Sequence, residues 1–220
     1  MEAAPARPRG DDFFQRARAR LTLDVTAALM DPALPAARGD LDLDPVLWER
    51  AGVSMKATQP AAVLVPVIDR AEPAVLLTQR NANLASHAGQ IAFPGGKIEP
   101  GDSSPVAAAL REAEEEIGLD ARLVDPIGHL DLYLTMSGFR ILPTVARVDP
   151  RYRLALNRAE VDEAFEVPLA FLMDAQNHAL HSRDWKGVVR RYYAMAFPQH
   201  YIWGVTAGIL RNLYERIYLG

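Results

Sequence analysis

The 220 residues contain no cysteine. This excludes disulfides, thiolate metal sites and a cysteine nucleophile, and it suits a reducing compartment. No apolar run reaches the ~18 residues of a membrane span. The opening MEAAPARPRGDDFFQRARARL lacks the apolar stretch of a secretory signal. An excess of basic charge is missing too: 24 Lys and Arg stand against 28 Asp and Glu, a net −4, so no global field favours nucleic acid. Together these absences predict a cytoplasmic protein that binds neither nucleic acid nor membrane. What is present is ordinary for a globular chain: half the residues are hydrophobic and 24% are charged. The length allows one sizeable domain with extensions, or two small ones.

Along the chain, residues 1–10 are rich in Ala, Pro and Arg, a composition that predicts disorder. Residues 11–23 predict a short helix on Phe13, Phe14, Ala17 and Leu21, and 32–43, with Pro32, Pro35 and Gly39, read as a linker. We therefore divide the chain into 1–45, an N-terminal extension, partly disordered with a short helix, and 46–220, the main domain. The apolar run 61–68 predicts a buried strand that Pro66 pushes towards an edge or bulge. Further strands are expected at 74–79, 122–124, 128–134, 139–148 and 190–197, residues 91–93 lead into a glycine-rich loop, and 167–173 fits a strand or a short helix. Residues 202–219 predict a closing helix on Ile202, Thr206, Ile209, Leu213 and Ile217. Strands on either side of one central helix give a mixed α/β layered fold.

The most informative stretch is 96–119, GKIEPGDSSPVAAALREAEEEIGL. It opens on a glycine loop and runs into a helix. Glu112, Glu115 and Glu116 stand at i, i+3 and i+4, so the three carboxylates share a face, with Val106, Leu110, Ala113 and Ile117 opposite. Such a cluster repels itself unless a cation sits within it, and oxygen ligands of this kind suit Mg²⁺. An acidic helix face alone is ordinarily just solvated; here glycines, Arg111 and Gly118 accompany it.

This stretch resembles the Nudix box: Gly, five residues, Glu, seven residues, then Arg-Glu-aliphatic-x-Glu-Glu-x-Gly-aliphatic. Arg111 to Leu119 fit the second half. In the first half Asp102 stands at the loop Glu position, and eight residues separate it from Arg111. The resemblance implies a Nudix-type α/β/α sandwich with a mixed central sheet. It implies Mg²⁺ or Mn²⁺ held by Glu112, Glu115 and Glu116 with a backbone carbonyl near Gly96, and hydrolysis of a phosphoanhydride. Arg111, four residues before Glu115, is expected to pair with loop or helix acids. Glu160 and Glu163 are the candidate bases.

Upstream, Leu76-Leu77-Thr78-Gln79-Arg80, Gly89 and Phe93-Pro94-Gly95-Gly96 are similar to the signature of the coenzyme A pyrophosphatase branch. Two positions depart from it: Asn81 replaces Ser or Ala, and Ala85 replaces an Arg. The loss of that guanidinium leaves Arg80, Lys97 or Arg140 to bind the 3′-phosphate of coenzyme A. The resemblance thus implies a small-molecule nucleotide substrate, contacts from Arg80, His87, Gly89 and Lys97, and a homodimer as an option. Two alternatives stay open, a pyrophosphatase for ADP-ribose or a dinucleotide, and a non-catalytic nucleotide-binding regulator. His129, His178, His181 and His200 show no metal-ligand spacing.

Overall fold

The computed structural model describes residues 10–40, 42–43, 58–185 and 188–219. Residues 1–9 and the expected domain boundary at 45/46 lie outside them. One mixed sheet holds nine strands: β1 (Arg38–Gly39), β2 (Gln59–Ile68), β3 (Ala74–Arg80), β4 (Ile91–Ala92), β5 (Gly95–Lys97), β6 (Val124–His129), β7 (Tyr133–Leu134), β8 (Phe139–Val148) and β9 (Val161–Pro168). Its spine is the parallel pair β2–β8, in register from Gln59 opposite Phe139 to Ile68 opposite Val148. A second, antiparallel sheet comprises β10 (Ala179–Trp185), β11 (Val188–Phe197) and β12 (His200–Trp203).

The alternation of side chains along each strand sorts the core into two layers. Ala62, Leu64 and Ile68 of β2, Leu76 of β3, and Ala146 and Val148 of β8 pack with Ala108, Ala109, Ala113 and Ile117 of the helix Pro105–Ile117. Val65, Val67, Val75, Leu77 and Val145 face the other way. They pack with Phe13, Phe14, Ala17 and Leu21 of the N-terminal helix (Gly10–Arg20) and its exit, and with Ile209, Leu210 and Leu213 of the C-terminal helix (Val205–Tyr214). The architecture is therefore an α/β/α sandwich. The N-terminal helix and the turn that follows the C-terminal helix also clasp each other, each through a guanidinium on the other's carbonyl. Arg20 donates to the Arg216 carbonyl at 3.2 Å, and Arg216 returns a bond to the Arg20 carbonyl at 3.3 Å.

Several local expectations are corrected. Pro66 does not move β2 to an edge; β2 lies between β8 and β3. The Leu64 N–H donates to the Pro94 carbonyl on the side away from β8. By alternation the missing N–H of Pro66 falls on that same side, in the gap between the β5 pairing at Val63 and the β3 pairing at Val67, where no ladder bond is lost. Of residues 122–124 only Val124 is strand: Asp120 caps a 3-10 turn at Ala121–Leu123, and β6 begins at Val124. The expected strand at 128–134 is split between β6 and β7. The expected linker at 32–43 contains β1, which pairs in parallel with β7. Ile202 belongs to β12 rather than to the closing helix, which starts at Val205. Val167 and Pro168 end β9, and a short helix Leu169–Leu172 follows. The strands β10 and β12 were not anticipated.

Because Phe13 is fully buried among these residues, the N-terminal helix is part of the core. Phe13→Ala is expected to cost about 3–5 kcal/mol, read as a lower urea midpoint. A midpoint like that of the parent chain would mean the helix is only laid on the surface.

Candidate functional site

The helix Pro105–Ile117 is built with defined ends. Ser104 accepts from the Ala107 N–H at 3.1 Å, Pro105 occupies its first turn, and Gly118, at φ 67, closes it in the left-handed conformation. Its buried face is the expected one only at Ala113 and Ile117. Ala108 and Ala109 are buried while Val106 and Leu110 are only half-buried, and burial extends onto Glu116, which is 4% exposed. Small alanines let the helix sit close to β2 and β8, and that close approach draws Glu116 into the interior.

Arg111 organises the acids around it. Its Nε and Nη2 donate to the two oxygens of Asp102, each at 3.0 Å, a bidentate pair. Its Nη1 reaches Glu112 at 3.0 Å and Glu115 at 3.1 Å, and Nη2 also meets the Lys97 carbonyl at 3.2 Å. Asp102 in turn accepts from the Glu99 N–H at 2.7 Å. The extra residue between Asp102 and Arg111 is thus absorbed by the loop. Hydrogen bonds from Arg111 hold Asp102 below the usual carboxylate range, and Asp102 raises the Arg111 guanidinium still further.

The three glutamates are not equivalent. Glu115 has a side chain 55% exposed and turned to Arg111. Glu112 and Glu116 instead point at the glycine loop. A Cβ added at Gly96 would stand 2.5 Å from the Glu112 carboxyl and push it aside. One at Gly95, at φ 151, would run into the Ala62 carbonyl, so there only glycine lets the loop pass. The Gly95 N–H donates to Glu116 Oε2 at 3.1 Å. Burial pushes the Glu116 carboxyl up to about 7 despite that N–H and the nearby Arg80, and burial raises Glu112 as well. The negative field of Glu160 contributes to both shifts, which places Glu160 with this pair.

Among the described residues, no three His, Asp or Glu side chains stand in metal-holding geometry as they are. As they stand the three helix glutamates are not gathered together: Glu115 turns outward to Arg111, which also holds one oxygen of Glu112. The donor chemistry nonetheless fits a hard divalent cation. Two carboxylates lie desolvated beside a glycine backbone, and burial raises their affinities for protons even with Arg111 and Arg80 near them.

The other predicted residues divide. Arg80, at the end of β3, comes within 3.7 Å of Glu116 through Nη1, and its buried Nε has no hydrogen-bond partner. Glu160 is held by Asn157, whose Nδ2 donates to Oε1 at 2.9 Å. Glu163 lies elsewhere, paired with His200 at 3.2 Å and 48% exposed. His87 is exposed on a turn at φ 56, bonded to Gln90 at 2.9 Å. Gly89, at φ 67, donates to the Arg80 carbonyl at 3.1 Å and so shapes the loop beyond β3. Lys97 has an exposed side chain, while its carbonyl serves Arg111. Arg140 is removed from the phosphate candidates: it is 1% exposed and donates to the carbonyls of Ala28 at 2.5 Å and Leu34 at 2.6 Å, tying down the N-terminal arm. Sequence reading missed Asn157, although Asn three residues before Glu160 at a turn is the signal for such a bond. A cavity of about 140 Å³ on the Gly204–Gly208 side of the C-terminal helix contains none of these residues.

A model of the NUDIX domain matches residues 58–186. Over 157 residues the chain is 41% identical to the Photorhabdus laumondii subsp. laumondii protein named Uncharacterized Nudix hydrolase NudL, covering 71% of this chain and 84% of that one. The Escherichia coli (strain K12) protein of the same name is 39% identical over 153 residues, covering 70% and 80%. A solved NUDIX hydrolase from Alicyclobacillus acidocaldarius is 19% identical with a TM-score of 0.44, covering 71% of this chain and 91% of that one.

In the folded protein without metal Glu116 keeps its proton up to about pH 7, whereas its ordinary value is 4.5. Folding therefore binds a proton in that window, and the contribution of Glu116 to stability falls as pH rises through it. From 4.5 to about 7, at roughly 1.4 kcal/mol for each pH unit, the loss approaches about 3 kcal/mol. In chelator, the parent chain should lose more stability than Glu116→Gln between pH 5 and pH 8. Parallel melting curves across that range would refute the burial of this carboxylate.

Proposed function

Because the chain belongs to the Nudix family, we propose that it is the pyrophosphohydrolase that splits coenzyme A or its thioesters, releasing 3′,5′-ADP and 4′-phosphopantetheine or its acyl form. The observation that carries the reading is the desolvated pair Glu112 and Glu116 beside Gly95 and Gly96, with Arg80 at its edge and Glu160 facing it. The match of residues 76–80, 89 and 93–96 to one branch of the family supports coenzyme A as the substrate.

Glu112, Glu116 and the Gly96 backbone would hold Mg²⁺ or Mn²⁺, with Glu115 at the solvent side. When bound, such an ion neutralises phosphate oxygens and lowers the pKa of a coordinated water. Water adds to one phosphorus of the anhydride, the bridging oxygen departs with the other phosphate, and the water's proton passes to a carboxylate. Glu160 is the base in this reading: it is aimed by Asn157 and set against Glu112 and Glu116. Glu163, hydrogen-bonded to His200 and away from the acidic pair, is set aside. Arg80 contacts the anhydride phosphates, since its unpartnered Nε and its Nη1 lie at the acids. Arg111 keeps Asp102, Glu112 and Glu115 in place and touches no substrate.

The second reading, ADP-ribose or a dinucleotide, rests on Ala85, an exposed position without the guanidinium that a 3′-phosphate would use. A purely regulatory role is disfavoured because every carboxylate of the box is in place.

With Arg80 committed to the anhydride, Lys97 is left for the 3′-phosphate. Coenzyme A should then exceed dephospho-coenzyme A about ten- to a hundredfold in kcat/KM, the worth of one charge-assisted contact. Lys97→Ala should remove most of that preference. Equal rates for the two compounds, with faster cleavage of ADP-ribose, would favour the second reading. Arg111→Lys should lower kcat by about tenfold or more with little change in KM, because an ammonium cannot make the bidentate bond to Asp102. Unchanged kcat would show that the carboxylates do not depend on that geometry.

A further inference from the structure

The turn that carries Glu160 is fastened on two sides. On the side of the acidic helix, the Ala155 N–H donates to the Ile117 carbonyl and the Asn157 N–H to the Glu116 carbonyl, both at 2.9 Å. On the side of the arginine loop, the Asn81 N–H donates to the Glu160 carbonyl at 2.8 Å, and Asn81 Nδ2 donates to the Arg158 carbonyl at 2.7 Å. The pairing of β3 with β9 changes register here, from Gln79 opposite Glu163 to Arg80 opposite Val161. Asp162, passed over by the shift, accepts from the Ala82 N–H at 2.9 Å. The Asn81 side chain completes the knot by accepting from the Asn83 N–H at 2.7 Å.

These contacts close a ring. Glu116 holds Asn157 through its carbonyl, Asn157 holds Glu160, and Glu160 is bonded to Asn81. Asn81 follows Arg80, which returns to Glu116. We infer that Asn81 is a positioning residue, which fixes Arg80 and Glu160 relative to each other so that the arginine loop and the Glu160 turn move as one unit. The inference rests on the hydrolase reading only for the roles of Arg80 and Glu160. A smaller residue at 81 would keep the main-chain bond to Glu160 but lose the side-chain bond to Arg158. An aspartate would keep the acceptor for Asn83 and lose the donor to Arg158.

The test is Asn81→Asp, isosteric with the parent, in two measurements. In amide hydrogen exchange, the Asn157 and Val161 N–H groups, across the ring from the substitution, should exchange about tenfold faster, with the β2–β8 ladder unchanged. Exchange altered only at residues 82–84 would overturn the inference, whatever the substrate. In a double-mutant cycle, Asn81→Asp should lower kcat/KM about tenfold in the parent and less than about twofold in a Glu160→Gln background. Additive losses would overturn it. Turnover is followed on whichever of coenzyme A and ADP-ribose the parent cleaves faster, so an error in the substrate does not enter. Asn157→Asp, which loses its donor to Glu160, provides a second cycle with the same expected non-additivity.

Discussion

Arg111 is the interaction on which the site depends. One planar guanidinium links the loop carboxylate Asp102, the Lys97 carbonyl, and two helix glutamates. It does so from a helix whose other face is committed to β2 and β8, so it cannot shift without the helix shifting. The glycine loop is thereby fixed to the acids from both ends, through Lys97 and through the Gly95 N–H on Glu116. An isolated surface ion pair contributes little to stability. Here the value of the cation is geometric, since it sets where three carboxylates and a loop meet.

The same close packing generates the tension that makes the site useful. Alanines at 108, 109 and 113 bring the helix against the sheet, and Glu116 is carried inside with only one N–H and a distant guanidinium for company. A carboxylate so placed gives up its proton reluctantly, and a strong cationic partner would relieve the cost. The family's use of divalent ions and the local electrostatics therefore agree.

The acidic helix and the two strands of the sheet's spine were legible in the sequence, because each rests on local spacing: acids at i, i+3 and i+4, the apolar run at 61–68 broken only by Pro66, and the largely apolar stretch at 139–148. What escaped depends on partners far along the chain. Glu115 could not be told from Glu112 without knowing where Arg111 turns. Arg140 looked like a phosphate ligand until its partners proved to be carbonyls more than a hundred residues earlier, with |i−j| of 112 and 106. Pro66 was judged by the general rule for strands, whereas the gap between β5 and β3 makes it harmless. Glu160 and Glu163 differ by three positions, and only the register shift in β9 separates the one beside the acids from the one beside His200.

The clasp between Arg20 and Arg216 has a bearing on how the protein is made. Its two halves are separated by 196 positions, and Phe13 and Phe14 share one core cluster with Ile209, Leu213 and Ile217. During synthesis the acidic helix can settle on the β2–β8 spine while the opposite face of the sheet still lacks one of its covers. The helix Gly10–Arg20, made long before the residues around 216, must then wait, apolar side exposed, until they emerge to receive it. A nascent chain stalled between those points would carry the whole acidic cluster on a half-covered sheet, which makes this interval the one in which a chaperone has a surface to hold.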